Sequence, residues 1–240
     1  MSKFNGHLSG KPLVVATSLT WPPFGSLAVD GQPVGIDMSI AEHIAAALKM
    51  NLQINNGDFA SVIEAMNTNG AHMGISSISI TPERAQNMLF SIPYHTTGGL
   101  VLVTNLPVGE SIFDGMTVEQ VRANMPDVNV GTGGTAGTPA LFVQDNGGIV
   151  NAVGTCTAIN MLATEDTVPF NYVLLDNLVA SHLTANFPNL RVVDTPLLTH
   201  QEIGIAFPLQ RADLLPQINS ILQKMEDDGT LDQIFARKFF

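Results

Sequence analysis

The residues from Gly74 to Arg84, Gly-Ile-Ser-Ser-Ile-Ser-Ile-Thr-Pro-Glu-Arg, put polar groups where a core strand runs into a helix. Ile75, Ile78 and Ile80 read as a β-branched strand end. Thr81 caps the next element through its hydroxyl, and Pro82 suits the first helical position, where its missing N–H costs nothing. Arg84 then falls in the first helical turn, which already carries unpaired N–H groups and the positive end of the dipole. A cation there calls for an anion. A carboxylate arriving at this point meets a guanidinium fork, backbone N–H groups and the hydroxyls of Ser77 and Ser79 together. The alternative is an exposed arginine paired with a nearby acid, beside serines that satisfy a strand end.

Three further places carry candidate chemistry. Trp21-Pro22-Pro23-Phe24 is a stiff loop after an apolar run, in which Trp21 is either a packing residue or a platform over a ligand. Gly131-Thr132-Gly133-Gly134-Thr135-Ala136 matches the GxGxxA dinucleotide fingerprint, but no acid lies between Asp145 and Glu165 to hold a ribose, and no lysine follows to make a P-loop. The turn instead offers N–H groups to a smaller anion such as a carboxylate, or is simply a flexible loop. Asp176 follows Leu174-Leu175 at the carboxyl end of a buried strand, where a carboxylate needs a partner. It either caps the helix starting at Asn177 or offers its charge to an ammonium group.

Other chemistries find less support. The six histidines, His7, His43, His72, His95, His182 and His200, show no metal-ligand spacing, so no metal or other cofactor is expected. Cys156 is the single cysteine, which excludes an intrachain disulfide, and no GxSxG motif is present. His95, His200 and Glu202 are acid or base candidates, each expected on solvated surface.

The elements that must position these groups fit a chain of 240 residues, long enough for one large domain or two lobes. A net charge of −11 argues against nucleic acid and against an electrostatic membrane anchor. Met1 to Gly10 lacks the apolar run of a secretory signal, so an exported chain has had its signal removed. No run of about twenty apolar residues spans a bilayer. Leu13–Thr17 is a buried-type strand, and Asp30-Gly31 marks a hairpin within 29–36. Asp37 caps a helix whose Ile40, Ile44 and Leu48 recur every four residues. Leu52 and Ile54 open a second strand, and Val62, Ile63 and Met66 share one side of a helix closed by Gly70. This alternation predicts a parallel α/β sheet with ligands outside the carboxyl ends of its strands, where Trp21 and Ser77–Arg84 both fall. A strand at 99–103 leads into a second such alternation: a helix at 117–124, a strand at 128–130, a helix after Pro139 and a strand at 173–175. Strands at 190–193 and 203–207 follow, then a helix through Leu214, Ile218, Ile221 and Leu222, a break at Gly229, and a last helix at 231–239.

The order Leu13-Val-Val-Ala-Thr17, Trp21-Pro-Pro-Phe24, Gly35-Ile-Asp37, Ser77-Ile-Ser-Ile-Thr-Pro-Glu-Arg84, Phe90-Ser91, Pro93-Tyr94 and Asp227-Asp-Gly-Thr230 resembles the bacterial extracytoplasmic solute-binding proteins for polar amino acids. These are the type II periplasmic binding proteins of ABC importers. The resemblance implies an α/β clamp of two lobes, each a mostly parallel sheet flanked by helices: lobe one at 1–101 and 201–240, lobe two at 102–200, joined by two crossing strands. It implies a free amino acid as ligand, with its carboxylate on Arg84 and Thr135, its ammonium on Asp176 and the groups around Ser77 and Ser79, and Trp21 stacked on its side chain. Ser18 completes the set. Relatives that bind basic amino acids place an acid near position 18, so a serine there disfavours lysine or arginine. The residues Ala136 to Pro139 depart from the family's direct run of turn into helix. The partner implied is the membrane permease of an ABC importer, the location periplasmic or extracytoplasmic, and the state a monomer. An enzyme resembling cyclohexadienyl dehydratase, with Glu202 or His95 as base, and a ligand-sensing ectodomain are the alternatives on the same scaffold.

Overall fold

A computed structural model describes residues 10–237 and 239, which form two compact units. His7 and most of the segment from Met1 to Gly10 lie outside the described residues. The first unit takes in residues up to Leu19, Pro23–Thr96 and Glu202 onward, and the second takes in Thr20–Pro22 and Thr97–Gln201. The chain therefore leaves the first unit at Thr96, a few residues before the boundary expected after 101, and Thr20–Pro22 packs with the second unit.

The first unit begins with β1 (Pro12–Thr17), a short hairpin of β2 (Ser26–Leu27) and β3 (Pro33–Val34), and helix α1 (Ile36–Leu48). Asp30-Gly31 turns the hairpin, with the Gly31 N–H donating to Ala28 O at 2.9 Å. Next come β4 (Asn51–Asn56), α2 (Phe59–Asn67), β5 (Met73–Ser79) and β6 (Leu89–Phe90), before β7 (His95–Gly98) carries the chain across. β1 lies parallel to both β4 and β5, so the expected parallel core is present. Ala16, Val62, Met66, Ala71, Ile78, Met88 and Ala206 form a buried cluster between α2 and the sheet.

Two local readings change. The helix expected after Pro82 is only a single 3-10 turn, Arg84–Gln86, although the Thr81 hydroxyl does accept the Arg84 N–H at 3.2 Å. β6 must pair with the returning strand three residues later, which leaves no length for an α-helix. Asp37 does not cap α1. The Ile36 and Asp37 N–H groups donate to Pro23 O and Phe24 O at 3.0 and 2.9 Å, so the backbone of the proline loop closes the helix start. Gly35 permits this, since its φ of 133° disfavours a side chain and a Cβ would run into the Phe24 carbonyl.

The second unit contains β8 (Leu100–Thr104), α3 (Val118–Ala123), β9 (Asn129–Thr132), α4 (Thr138–Asp145), β10 (Ile149–Ala152), α5 (Thr155–Thr164), β11 (Tyr172–Asp176), α6 (Asn177–Thr184) and β12 (Arg191–Val192). Its sheet runs β10-β9-β11-β8-β12, with β9 parallel to β10 and β11. Thr117 and Gln120 make a reciprocal capping box at the start of α3. β13 (Gln201–Phe207) returns the chain to the first unit, where α7 (Leu215–Asp227) and α8 (Thr230–Phe235) finish it. α8 stops at Phe235, short of the expected 239.

One clamp holds the irregular segment before α3. Arg191 grips Asp114 with both nitrogens, at 2.8 and 2.7 Å, and donates to Leu106 O and Pro107 O at 2.7 and 2.8 Å. The guanidinium holds the Asp114 carboxyl below the usual carboxylate range, helped by the Gly109 and Asp194 amides. A depressed pKa means stability that is present above about pH 4 and is lost as the pH falls below it. Arg191→Ala is expected to lower the melting temperature on the order of 5 °C at pH 7, with a smaller difference from the parent at pH 3, as read by thermal melts at both pH values.

Candidate functional site

At the carboxyl ends of β1 and β5 the first unit gathers Ser18, Ser77, Ser79 and Arg84. Adjacent strands bring them there: the Ser18 N–H donates to Ser76 Oγ at 3.1 Å, and the Leu19 N–H donates to Asn56 Oδ1 at 3.0 Å. Arg84 Nη1 donates to Ser79 O at 3.0 Å, and the guanidinium carbon lies 5.2 Å from the centre of the Phe59 ring. These contacts aim the fork back across the strand end. Burial draws its pKa below the ordinary value and the neighbouring Glu83 opposes that, yet an arginine stays charged.

Ser77 has a left-handed backbone, φ 46°, within β5. The strand is bulged there: Gly74 and Ile78 pair with Ala206 and Gly204, so three residues of β5 face one of β13. The Ser77 N–H donates to Asp37 Oδ2 at 2.8 Å, and the Tyr94 hydroxyl donates to Asp37 Oδ1 at 2.7 Å. Asp37 is buried, and that burial pushes its carboxyl up to about 7 against the pull of Tyr94 and Ser77. Sequence reasoning gave Asp37 a capping role and missed its bond to Ser77. The one sequence signal was its place between the apolar residues Ile36 and Met38, both of which are buried with it.

The second unit holds Trp21, Thr135 and Asp176. Trp21 is half-buried, with its ring against the turn after β9, where a Cβ on Gly133 would lie 3.3 Å from Trp21 Cζ3 and collide with the Thr155 hydroxyl. That glycine leaves room for the indole. Thr135 is exposed, and Ala136 and Gly137 separate it from the first helical residue, Thr138. Asp176 ends β11, the parallel neighbour of β9, so Thr135 and Asp176 both follow carboxyl ends of adjacent strands.

Asp176 takes the capping role at the start of α6. Its Oδ1 accepts the Leu178 N–H at 2.9 Å and caps α6. Its Oδ2 is buried without a hydrogen-bond partner among the described residues. Burial pushes the carboxyl up to about 6, while the Leu178, Val179 and Gly99 amides pull it down. A half-satisfied buried carboxylate at a strand end suits a ligand that brings hydrogen-bond donors and positive charge.

Of the acid and base candidates, His200 and Glu202 are exposed, as expected. His95 is not on solvated surface. Its ring stacks on Phe235 at 4.9 Å and meets Phe24 edge-on at 6.2 Å, with Nε2 buried and burial lowering its pKa. Cys156 is exposed near the start of α5. Among the described residues no group of three or more His, Cys, Asp or Glu is placed to hold a metal, and no helix is long and apolar enough to cross a membrane.

Comparison with known proteins agrees with this architecture. The family model of the bacterial extracellular solute-binding proteins, family 3, matches residues 13–240. A probable histidine-binding protein of Neisseria gonorrhoeae is 26% identical over 96% of this chain and 84% of its own. A putative ABC transporter arginine-binding protein 2 of Escherichia coli is 24% identical over 93% of this chain and 89% of its own. Among solved structures, an ancestral arginine-binding protein bound to glutamine superposes with a TM-score of 0.81 at 28% identity, covering 98% of this chain and 99% of the other. With a match that runs from β1 to the last helix, the chain belongs to the bacterial extracellular solute-binding proteins, family 3.

Proposed function

We propose that this protein is an extracytoplasmic binding protein that captures a free amino acid and delivers it, as a monomer, to the permease of an ABC importer. Arg84 takes the ligand carboxylate with help from Thr135. Asp176 takes the ammonium group, with Ser77 and Ser79 supplying further polar contacts, and Trp21 and Ser18 face the side chain. Family membership supports the class of function, and relatives named as histidine-, arginine- and cystine-binding proteins support an amino acid as ligand. The observation that carries the reading is the buried Oδ2 of Asp176, an acceptor left without a partner among the described residues at a strand end. An α-ammonium group supplies three donors and the opposite charge.

The test is a thermal-shift screen of the twenty standard L-amino acids. One of them at a hundred times its Kd adds about 2.7 kcal/mol, a rise of roughly 5–10 °C for a chain of this size. If none raises the melting temperature at millimolar concentration, the reading fails.

A further inference from the structure

Asp37 is costly where it stands. It is buried, and its two hydrogen-bond partners, the Tyr94 hydroxyl and the Ser77 N–H, are both neutral. The start of α1 does not need its side chain, because Pro23 O and Phe24 O already accept the first helical N–H groups. What the carboxylate does hold is Ser77, a non-glycine residue in a left-handed conformation at a bulge, which persists only when its surroundings impose it.

We infer that Asp37 is a positioning residue for the ligand-binding strand end: it fixes the Ser77 bulge and thereby the direction in which residues 77 to 79 present their polar groups. This rests on the proposed role of Ser77 and Ser79 as ligand contacts. Through Ser79, whose carbonyl receives Arg84 Nη1, the same bulge also sets the guanidinium. The device is graded by protonation. Burial favours the neutral carboxyl, which keeps one oxygen fully able to accept from Ser77, and the ionised form grips the Ser77 N–H more strongly. Of the elements packed on α1, β3, β4 and β5 carry no ionisable side chain. α7 and α8 carry Lys224, Glu226, Asp227 and Asp232, α1 itself carries Glu42 and His43, and His95 follows Tyr94; burial, the Tyr94 hydroxyl and the Ser77 amide dominate the Asp37 charge.

The test uses the whole chain and the standard L-amino acid that gives the largest thermal shift with the parent. Asp37→Ala is expected to bind it at least tenfold more weakly, and Asp37→Asn to recover most of that loss, since an amide can accept from Ser77 and donate to the Tyr94 oxygen. The Ser77 amide proton, followed by NMR without ligand, is expected to titrate near neutral pH in the parent and to stand still in Asp37→Asn. A folded Asp37→Ala that binds within twofold of the parent overturns the inference. So does a Ser77 amide that ignores pH in the parent, a readout that holds even if Asp37→Ala fails to fold. If the parent binds no amino acid, the proposed function fails, while the Ser77 titration still judges the link to Asp37.

Discussion

Arg84→Ala is expected to bind its amino acid at least a hundredfold more weakly than the parent, while its melting temperature without ligand falls by no more than a few degrees. The asymmetry follows from what the guanidinium touches. Its contacts within the protein include a hydrogen bond to the Ser79 carbonyl and the face of Phe59, each worth on the order of 1 kcal/mol. A bound carboxylate left without its bidentate cation loses far more, several kcal/mol, because it must be stripped of water with nothing of opposite charge to receive it. Lysine at this position is a weaker replacement than its charge suggests, since a point charge cannot reproduce the planar fork. Calorimetric titration of Arg84→Ala and Arg84→Lys beside thermal melts separates the two quantities. Equal affinity in Arg84→Ala and the parent removes Arg84 from the site.

How far these features were legible in the sequence depended on how local their causes are. The parallel core was legible because β-branched runs such as Leu13–Thr17 alternate with helices of clear period, and Asp176 was legible because an acid directly after a buried strand must do something with its charge. Four features were not. Asp37 reads as a helix cap by every local rule, and it loses that role only because the carbonyls of Pro23 and Phe24 fold onto the same helix start. The Asp114–Arg191 clamp joins residues 77 apart, with no spacing to announce it. β10 and α5 went unread because Ile149–Ala152 is short and the buried face of Thr155–Thr164 has only three apolar residues, Ala158, Ile159 and Leu162, beside Thr155. His95 was misplaced for a related reason: the rings that enclose it, Phe24 and Phe235, come from opposite ends of the chain.

Acid should loosen the ligand before it unfolds the protein, and Asp176 is the reason. Burial raises its carboxyl to about 6, so below that pH the unliganded protein holds a proton that an incoming ammonium group must displace. The ligand's own α-carboxyl and α-amino groups stay ionised from about pH 4 to above 7, so they do not share the titration. In the Asp37→Asn background, affinity is therefore expected to be flat above pH 7, about tenfold weaker at pH 5 and to fall by another factor of about ten per unit beneath that, with close to one proton released per binding event at pH 5. For the protein without ligand the sign is opposite: a raised carboxyl pKa makes Asp176 favour the folded state below about pH 4 and withdraws that contribution as the pH climbs to 6. Titration calorimetry in two buffers of different ionisation heat measures both the affinity and the proton count, using an amino acid whose side chain does not titrate. Asp176→Asn keeps an oxygen to cap α6 but has no charge to gain, so it should bind weakly at every pH and lose the slope. The Asp37→Asn background removes the other buried carboxyl from the profile, and a slope that survives there but vanishes in Asp176→Asn belongs to Asp176. Affinity that stays constant from pH 7 to pH 5 in the parent would mean that the ammonium group of the ligand is held elsewhere.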